Sequence, residues 1–485
     1  MGLNRVDLLI IAAYLAGITL FGLRFRKQQR SMRDYFLADR NIPWWAISLS
    51  IVAAETSTLT IISIPGLAYA TNLTFLQIVV GYVIGRIMIS LILLPHYFRG
   101  ELYTAYQLIE RRFGQRLRTV SAALFLLTRA AAEGVRVYAV SIVVSIALGT
   151  GEVASIVIIT LLTLIYTFEG GLAAVIWTDV VQTFIYVGGT VVGLITILHL
   201  VPGGWNSALA VAGAAHKFEV LNPGVHRGWP YLDFMQPYTV LAGLIGGTFL
   251  TLATHGVDQL IVQRLLAARN QRQSAAALVS SGVAIFFQFA LFLFVGAMLF
   301  AYYQLPPAAF GKSDRIYPIF IVTRMPHGIS GLLIAAILAA AMSNLSAALN
   351  SLSSSTMIDF YFRFRPETDD GTRLLLSRLA TLFWAFLLAG LAVMALHNVG
   401  RVVEVGLQIV SVAYGALLGV FLLGTLTKRA KQNGAIFGML CGFGTGIYLW
   451  RWSHVGFTWW VAIETCATFA IGYAVSFVFE VEKDL

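Results

Sequence analysis

Residues 50–60 read Ser-Ile-Val-Ala-Ala-Glu-Thr-Ser-Thr-Leu-Thr, in the middle of an apolar run from Trp44 to Tyr69. A run of that length can cross a bilayer. A carboxylate and hydroxyls at its centre bind cations or polar solutes, because ionisable groups at that depth face a cavity or a partner. With Pro65-Gly66 close behind, the stretch predicts a broken helix whose freed carbonyls line a site. A second polar set lies in Ala340-Ala341-Met342-Ser343-Asn344-Leu345-Ser346-Ala347-Ala348-Leu349-Asn350-Ser351. Ser343, Ser346 and Asn350 recur at helical spacing as one stripe, bordered by Asn344. A hard monovalent cation needs about five or six oxygens to replace its water. This stripe offers some of them and the Ala53 and Thr56 carbonyls the rest. The competing reading is that Ser and Ala only let helices pack closely.

Arg136 lies in Thr128-Arg129-Ala130-Ala131-Ala132-Glu133-Gly134-Val135-Arg136-Val137-Tyr138. Its planar fork can clamp a carboxylate through two bonds. Glu133, three residues back, and Glu55 are the alternative partners of a purely structural pair. An ionised Glu55 repels an acidic solute and favours a neutral or zwitterionic one. His255 reads as a hydrogen-bonded structural histidine ahead of a proton site. The chain has two cysteines, both in apolar runs, so no disulfide or metal framework is readable. Nothing pairs a nucleophile with a base or forms a phosphate loop, so the chain does not read as an enzyme.

The elements that position these groups are membrane spans. The chain is 58% hydrophobic and 12% charged, which predicts an all-α polytopic membrane protein. Hydropathy predicts about thirteen spans, with cores at roughly 6–24, 44–70, 74–98, 119–149, 153–167, 172–201, 238–265, 274–304, 328–360, 374–397, 400–425, 432–452 and 455–480. Alternate loops carry most of the Lys and Arg, including Arg24 to Arg40, Arg99 to Arg118, Arg264 to Arg272, Arg363 to Arg378 and Lys428-Arg429. That bias puts the N-terminus outside and the C-terminus in the cytoplasm. The span 44–70 is taken as core helix one and 238–265 as core helix six. The latter has polar, glycine-interrupted centres at Gly246-Gly247-Thr248 and Thr254-His255-Gly256-Val257-Asp258-Gln259. Two such helices five spans apart predict an inverted repeat with a midplane site. The expected divisions are 1–43 (extra helix and cytoplasmic loop), 44–201 (first repeat), 202–237 (external loop), 238–425 (second repeat) and 426–485 (two C-terminal helices and tail).

Several stretches resemble the sodium:solute symporter family, which has the LeuT-type fold with a five-plus-five inverted repeat. They are Asp34-Tyr35-Phe36-Leu37-Ala38, Phe168-Glu169-Gly170-Gly171-Leu172-Ala173-Ala174-Val175-Ile176-Trp177-Thr178-Asp179-Val180-Val181-Gln182, Asp258-Gln259 with Val262-Gln263-Arg264, and Ala339 to Ser351. The resemblance covers nearly the whole chain and is nearest in motif to bacterial sialic-acid and sugar members. It implies a sodium site of backbone carbonyls at Ala53, Thr56 and Ala340 with side chains at Ser343 and Asn344, the last usually Ser or Thr. It implies a possible second sodium at Asp179 and Ser346, although Ala347 lacks a hydroxyl that the pattern calls for. Asp179 has a structural ion pair as its alternative role. Arg136 matches an arginine that binds the substrate carboxylate in the sialic-acid members. Glu55 falls at a substrate-contacting position that is commonly small or an amide. Ser57, Thr60, Phe75, Gln77, Asp258, Gln259 and Gln408 are the other candidate wall residues. Gln408 matches a sugar-contacting amide of galactose members. Their lysine in core helix seven is missing here, where Gln288 lies nearby.

The resemblance therefore implies a sodium-coupled symporter of the plasma membrane, working as a monomer with Na+ as coupling ion. The expected solute is a carboxylate sugar of the sialic-acid type or another small organic anion. A neutral sugar is the alternative, ahead of an amino acid or vitamin acid. A sodium-gated sensor or channel on the same fold is the alternative of another class. The basic excess follows from topology and implies no nucleic acid.

Overall fold

The structure is a computed structural model that describes residues 3–23, 41–99, 105–166, 172–225, 233–361, 365, 370–398 and 400–478. The stretches 34–38 and 168–171, with Arg24, Arg26, Lys27, Arg30, Arg33, Arg40 and Arg363, lie outside the described residues.

The principal helices are α1 (Arg5–Leu23), α2 (Trp44–Glu55), α3 (Thr58–Ala70), α4 (Leu76–Ile92), α5 (Gln115–Leu148), α6 (Glu152–Tyr166), α7 (Leu172–Leu200), α8 (Gly247–Gly256), α9 (Gln259–Leu266), α10 (Gln271–Tyr303), α11 (Ile329–Ser355), α12 (Asp370–Asn398), α13 (Val402–Leu426), α14 (Gln432–Trp452) and α15 (Trp460–Val478). Core helix one is the pair α2–α3, bent by 65° at its break. Core helix six is α8–α9. By length and apolarity, seven described helices can cross a bilayer, eight if α2–α3 counts as one span. The count falls short of thirteen partly where helices are short or interrupted; α1 and α14, of 19 and 21 residues, also fall outside it. α4 has 17 residues and α6 has 15, and the pair α8–α9 is cut into pieces of 10 and 8.

The first break falls where the sequence concentrates hydroxyls. Thr56 (φ −84°, ψ 65°) and Ser57 (ψ 168°) leave helical geometry. Thr60 Oγ1 donates to the Glu55 carbonyl at 3.0 Å, satisfying one acceptor that the break orphans. Across the break, ladder bonds run from Thr56 N to Val52 O (2.8 Å) and from Ile61 N to Ser57 O (3.1 Å). The Ala53 and Thr56 carbonyls take no backbone bond among the described residues.

The second break falls at Val257-Asp258, not at the glycines upstream. Asp258 is extended and caps α9, its Oδ1 accepting from Leu260 N at 2.8 Å. Gly246-Gly247 instead joins a π-turn (Ala242–Gly246) to α8. Its role is close packing: a Cβ at Gly81 of α4 would lie 2.1 Å from Gly243 O and 2.9 Å from Gly247 Cα. Backbones at that distance admit no side chain between them.

The short turn Ser313–Arg315 wedges between helices. Asp314 Oδ2 accepts from Val402 N (3.2 Å), capping α13, and Arg315 pairs with Glu152 of α6 (2.7 Å). Lys312 donates to Tyr138 Oη of α5 at 2.7 Å. α1 docks on the start of α11 through Asp7, which accepts from Gly328 N at 2.7 Å and Gly331 N at 3.3 Å.

Candidate functional site

Two buried charge clusters and one cleft meet around the breaks. The first cluster neutralises Glu55. Its partner is Arg86 of α4, not Arg136: Arg86 Nη2 donates to Glu55 Oε2, and His255 Nε2 lies 3.1 Å from the same Nη2. Arg86 is fully buried. Thr254 Oγ1 already donates to Leu250 O (2.9 Å), so it accepts from His255 Nδ1 (2.9 Å). The imidazole then carries its proton on Nδ1 and accepts from Arg86 on Nε2, a neutral tautomer fixed by the network. Glu55 and Arg86 thus cancel at bilayer depth and tie α2, α4 and α8 together.

The second cluster alternates in sign along α5. Glu133 Oε1 receives Arg136 Nη1 at 2.6 Å and Arg129 Nη2 at 3.0 Å. Arg129 Nη1 lies 3.8 Å from Asp258 Oδ2, which accepts from Tyr414 Oη of α13 at 2.5 Å. One carboxylate therefore serves two guanidinium groups. Arg129 is buried, whereas the Arg136 side chain is 32% exposed. Among the described residues Arg136 makes one hydrogen bond, to Glu133, and it lines a cleft.

That cleft is lined by Ser57, Thr58, Glu133, Arg136, Ile159 and Asn344 among others, with a volume of about 20 Å³. A space of that size holds about one water. It joins the N-terminus of α3 to α5, α6 and α11. The Arg136 guanidinium and the N-terminus of α3 border it and favour an anion, with the Glu133 carboxylate beside them.

The residues expected to hold sodium lie on α2, at its break and on α11, and Asn344 also borders the cleft. Ala53 lies in the last turn of α2 and Thr56 occupies the break, both buried; on α11 Ala340 is buried, and Ser343 and Asn344 are half-buried. Thr58 Oγ1 donates to Ile337 O at 3.4 Å, one turn before Ala340. The carbonyls at the negative end of α2 and the hydroxyl and amide oxygens of α11 are oxygen donors of the kind a hard cation takes. Gln288 of α10 donates to Thr56 Oγ1 at 2.6 Å and fixes that side chain.

Other candidates are dispersed. Asp179 accepts from Ser50 Oγ (2.6 Å) and pairs with Arg264 (3.1 Å). Ser346 is buried, while Asn350 at the end of the stripe is exposed. Gln77 bonds to Thr74 O, Tyr238 O and Asn222 N at the outer end of α4. Phe75 is buried and stacks on Phe289 with centroids 5.5 Å apart. Gln259 accepts from Ala105 N at 2.8 Å, on the opposite side of the break from Ser57. Gln408 is half-buried in α13, whose Gly406 abuts Leu59 of α3. Sequence reasoning missed Arg86 altogether. Its signal was present: an arginine in the middle of the apolar run 74–98 has to be paired.

Residues 35–442 match the sodium:solute symporter family. The chain is 30% identical over 444 residues to a sodium/sialic acid symporter of Proteus mirabilis, covering 90% of this chain and 87% of that protein. It is 29% identical to a sodium/glucose cotransporter of Vibrio parahaemolyticus, over 92% of this chain and 86% of that one. A solved structure of a Na+-coupled sialic acid symporter, substrate-bound and outward-open, superposes with a TM-score of 0.84 at 28% identity, covering 98% of both chains. A nucleobase-cation-symport-1 transporter shares the fold at a TM-score of 0.53 and 13% identity, over 91% of this chain and 93% of that one.

Proposed function

Because this chain belongs to the sodium:solute symporter family, we propose that it imports a carboxylate sugar of the sialic-acid class together with Na+. One observation carries the choice of an acid. Arg136 opens onto a cleft at the N-terminus of α3, and its only described partner, Glu133, is already shared with Arg129. Glu55 does not oppose an anion there, because Arg86 neutralises it. The bacterial relatives named for sialic acid support the same class.

Sodium binds at Ala53, Thr56, Ala340, Ser343 and Asn344, bridging the break in core helix one to α11. The carboxylate lies against Arg136, with Ser57 and Asn344 beside it. The present cleft is too small for a sugar, so α2–α3 swings away from α5 and α11 to admit one. The chain is a multi-pass membrane protein; thirteen spans with the C-terminus in the cytoplasm fit the placement of its basic loops.

The test is calorimetric titration of the purified full chain with N-acetylneuraminic acid, in sodium and in choline. Binding is expected in sodium alone and is expected to be lost in Arg136→Ala, with the melting temperature kept. Binding of glucose but not of the acid would replace this reading with neutral-sugar symport.

A further inference from the structure

Glu464 lies outside the transport site. It sits on α15 and is fully buried, and neither Oε1 nor Oε2 has a hydrogen-bond partner among the described residues. Every other described glutamate, namely Glu55, Glu110, Glu133, Glu152, Glu219 and Glu404, faces an Arg or a His.

The surroundings are shaped for this carboxyl. A Cβ on Gly446 of α14 would come within 2.3 Å of Oε1, and one on Gly415 of α13 within 2.7 Å of Oε2. The same two points lie 2.5 Å from the Val412 carbonyl oxygen and 2.8 Å from the Val461 carbonyl oxygen. Glycines on two helices therefore open a notch that the side chain fills, and each carboxyl oxygen has a helix carbonyl for a neighbour. Two carbonyls repel an ionised carboxylate, whereas a carboxylic acid has an O–H to give them. No compensating charge is supplied from the packed elements. Tyr414 of α13 turns to Asp258, and His255 of α8 turns to Arg86 and Glu55. An uncompensated carboxylate in such a place takes up a proton instead of remaining charged.

We infer that Glu464 is a proton-binding site: at neutral pH it holds its proton as a neutral carboxylic acid, donating to one of these two carbonyls and pinning α15 between α13 and α14. Gly415 follows Tyr414, whose hydroxyl holds Asp258 at the start of α9. The protonated acid thereby anchors the helix that steadies the second break.

The test is infrared spectroscopy of the purified full chain carrying carboxyl-13C glutamate, between pH 6 and pH 8, in sodium and in choline. The expected result is a protonated-carboxyl carbonyl band that moves with the label, persists at pH 8 and is equal in the two salts. Glu464→Gln, isosteric with the neutral acid, is expected to lose that band and keep the wild-type melting temperature. Absence of the band in the wild type overturns the inference without any variant. So does a band that survives in Glu464→Gln, or failure of that variant to fold. Were the band absent and the melting temperature raised by sodium or potassium in the wild type only, the notch would hold a metal cation in place of the proton.

Discussion

Charges buried at bilayer depth are costly alone and tolerable in pairs, and the residues of this site divide along that line. Removing one member of a buried pair leaves the other unpaired, at a cost of about 3–5 kcal/mol. Glu55→Gln is therefore expected to lower the melting temperature markedly, because Arg86 is fully buried against it. The double variant Glu55→Leu with Arg86→Met is expected to recover most of the loss. A Glu55→Gln protein that melts like the wild type would show that the pair does not hold α2 to α4. Ser343→Ala removes one oxygen from the proposed sodium set and is expected to raise the sodium concentration for half-maximal uptake; unchanged sodium activation would remove Ser343 from it. The chemistry of Glu55 and Arg136 was legible in the sequence because a charge inside an apolar run is costly wherever it points. Their partners were not. Glu133 lies within one helical turn of Arg136 and was readable as a candidate. Arg86 reaches Glu55 from another helix, and only the packing of α2, α4 and α8 sets that distance.

At the scale of elements, hydroxyl density predicted the first break correctly, because Thr60 can satisfy the carbonyl that the break at Thr56-Ser57 exposes. The second break was legible only as one of two places. Gly246-Gly247 and the stretch around Asp258 look equally weak as helix in sequence, and tertiary packing separates them. Gly243 and Gly247 face α4 backbone to backbone and Gly246 abuts the Thr458 carbonyl, while Asp258 caps a new helix. The wedge Ser313–Arg315 gives a test at this scale. Burial pushes the Asp314 carboxyl above its ordinary 3.8, and its Oδ1 has no partner among the described residues. A group with a raised folded-state value contributes stability that is complete below its unfolded value and is lost as pH rises through the folded one. Wild-type melting temperature is thus expected to fall as pH rises above about 4, the unfolded carboxyl value. Asp314→Asn keeps an acceptor for Val402 N and is expected to flatten that fall. An equal fall in the variant would assign it to another group.

At the scale of the whole molecule, the proposed transport cycle turns on α9, which is tied at both ends. Arg264 ties its far end to Asp179 of α7 and Ser50 of α2, and Asp258 ties its start to Arg129 of α5 and Tyr414 of α13. Both ties lie on the side of the break that the basic loops assign to the cytoplasm, so they oppose inward release while sodium and solute assemble on the other side. In the proposed cycle, sodium stabilises the conformer that the solute also binds. Linkage then requires one coupling factor in both directions. If sodium tightens the solute about tenfold, the solute must tighten sodium about tenfold, a coupling of about 1.4 kcal/mol. Asp179→Asn weakens one tie and raises the population of the inward conformer, so the apparent affinities for both ligands are expected to fall together. Titration of each ligand in the presence and absence of the other checks this. A fall in sodium affinity alone would instead make Asp179 a ligand of a second sodium, with Arg264 moving aside when the ion binds.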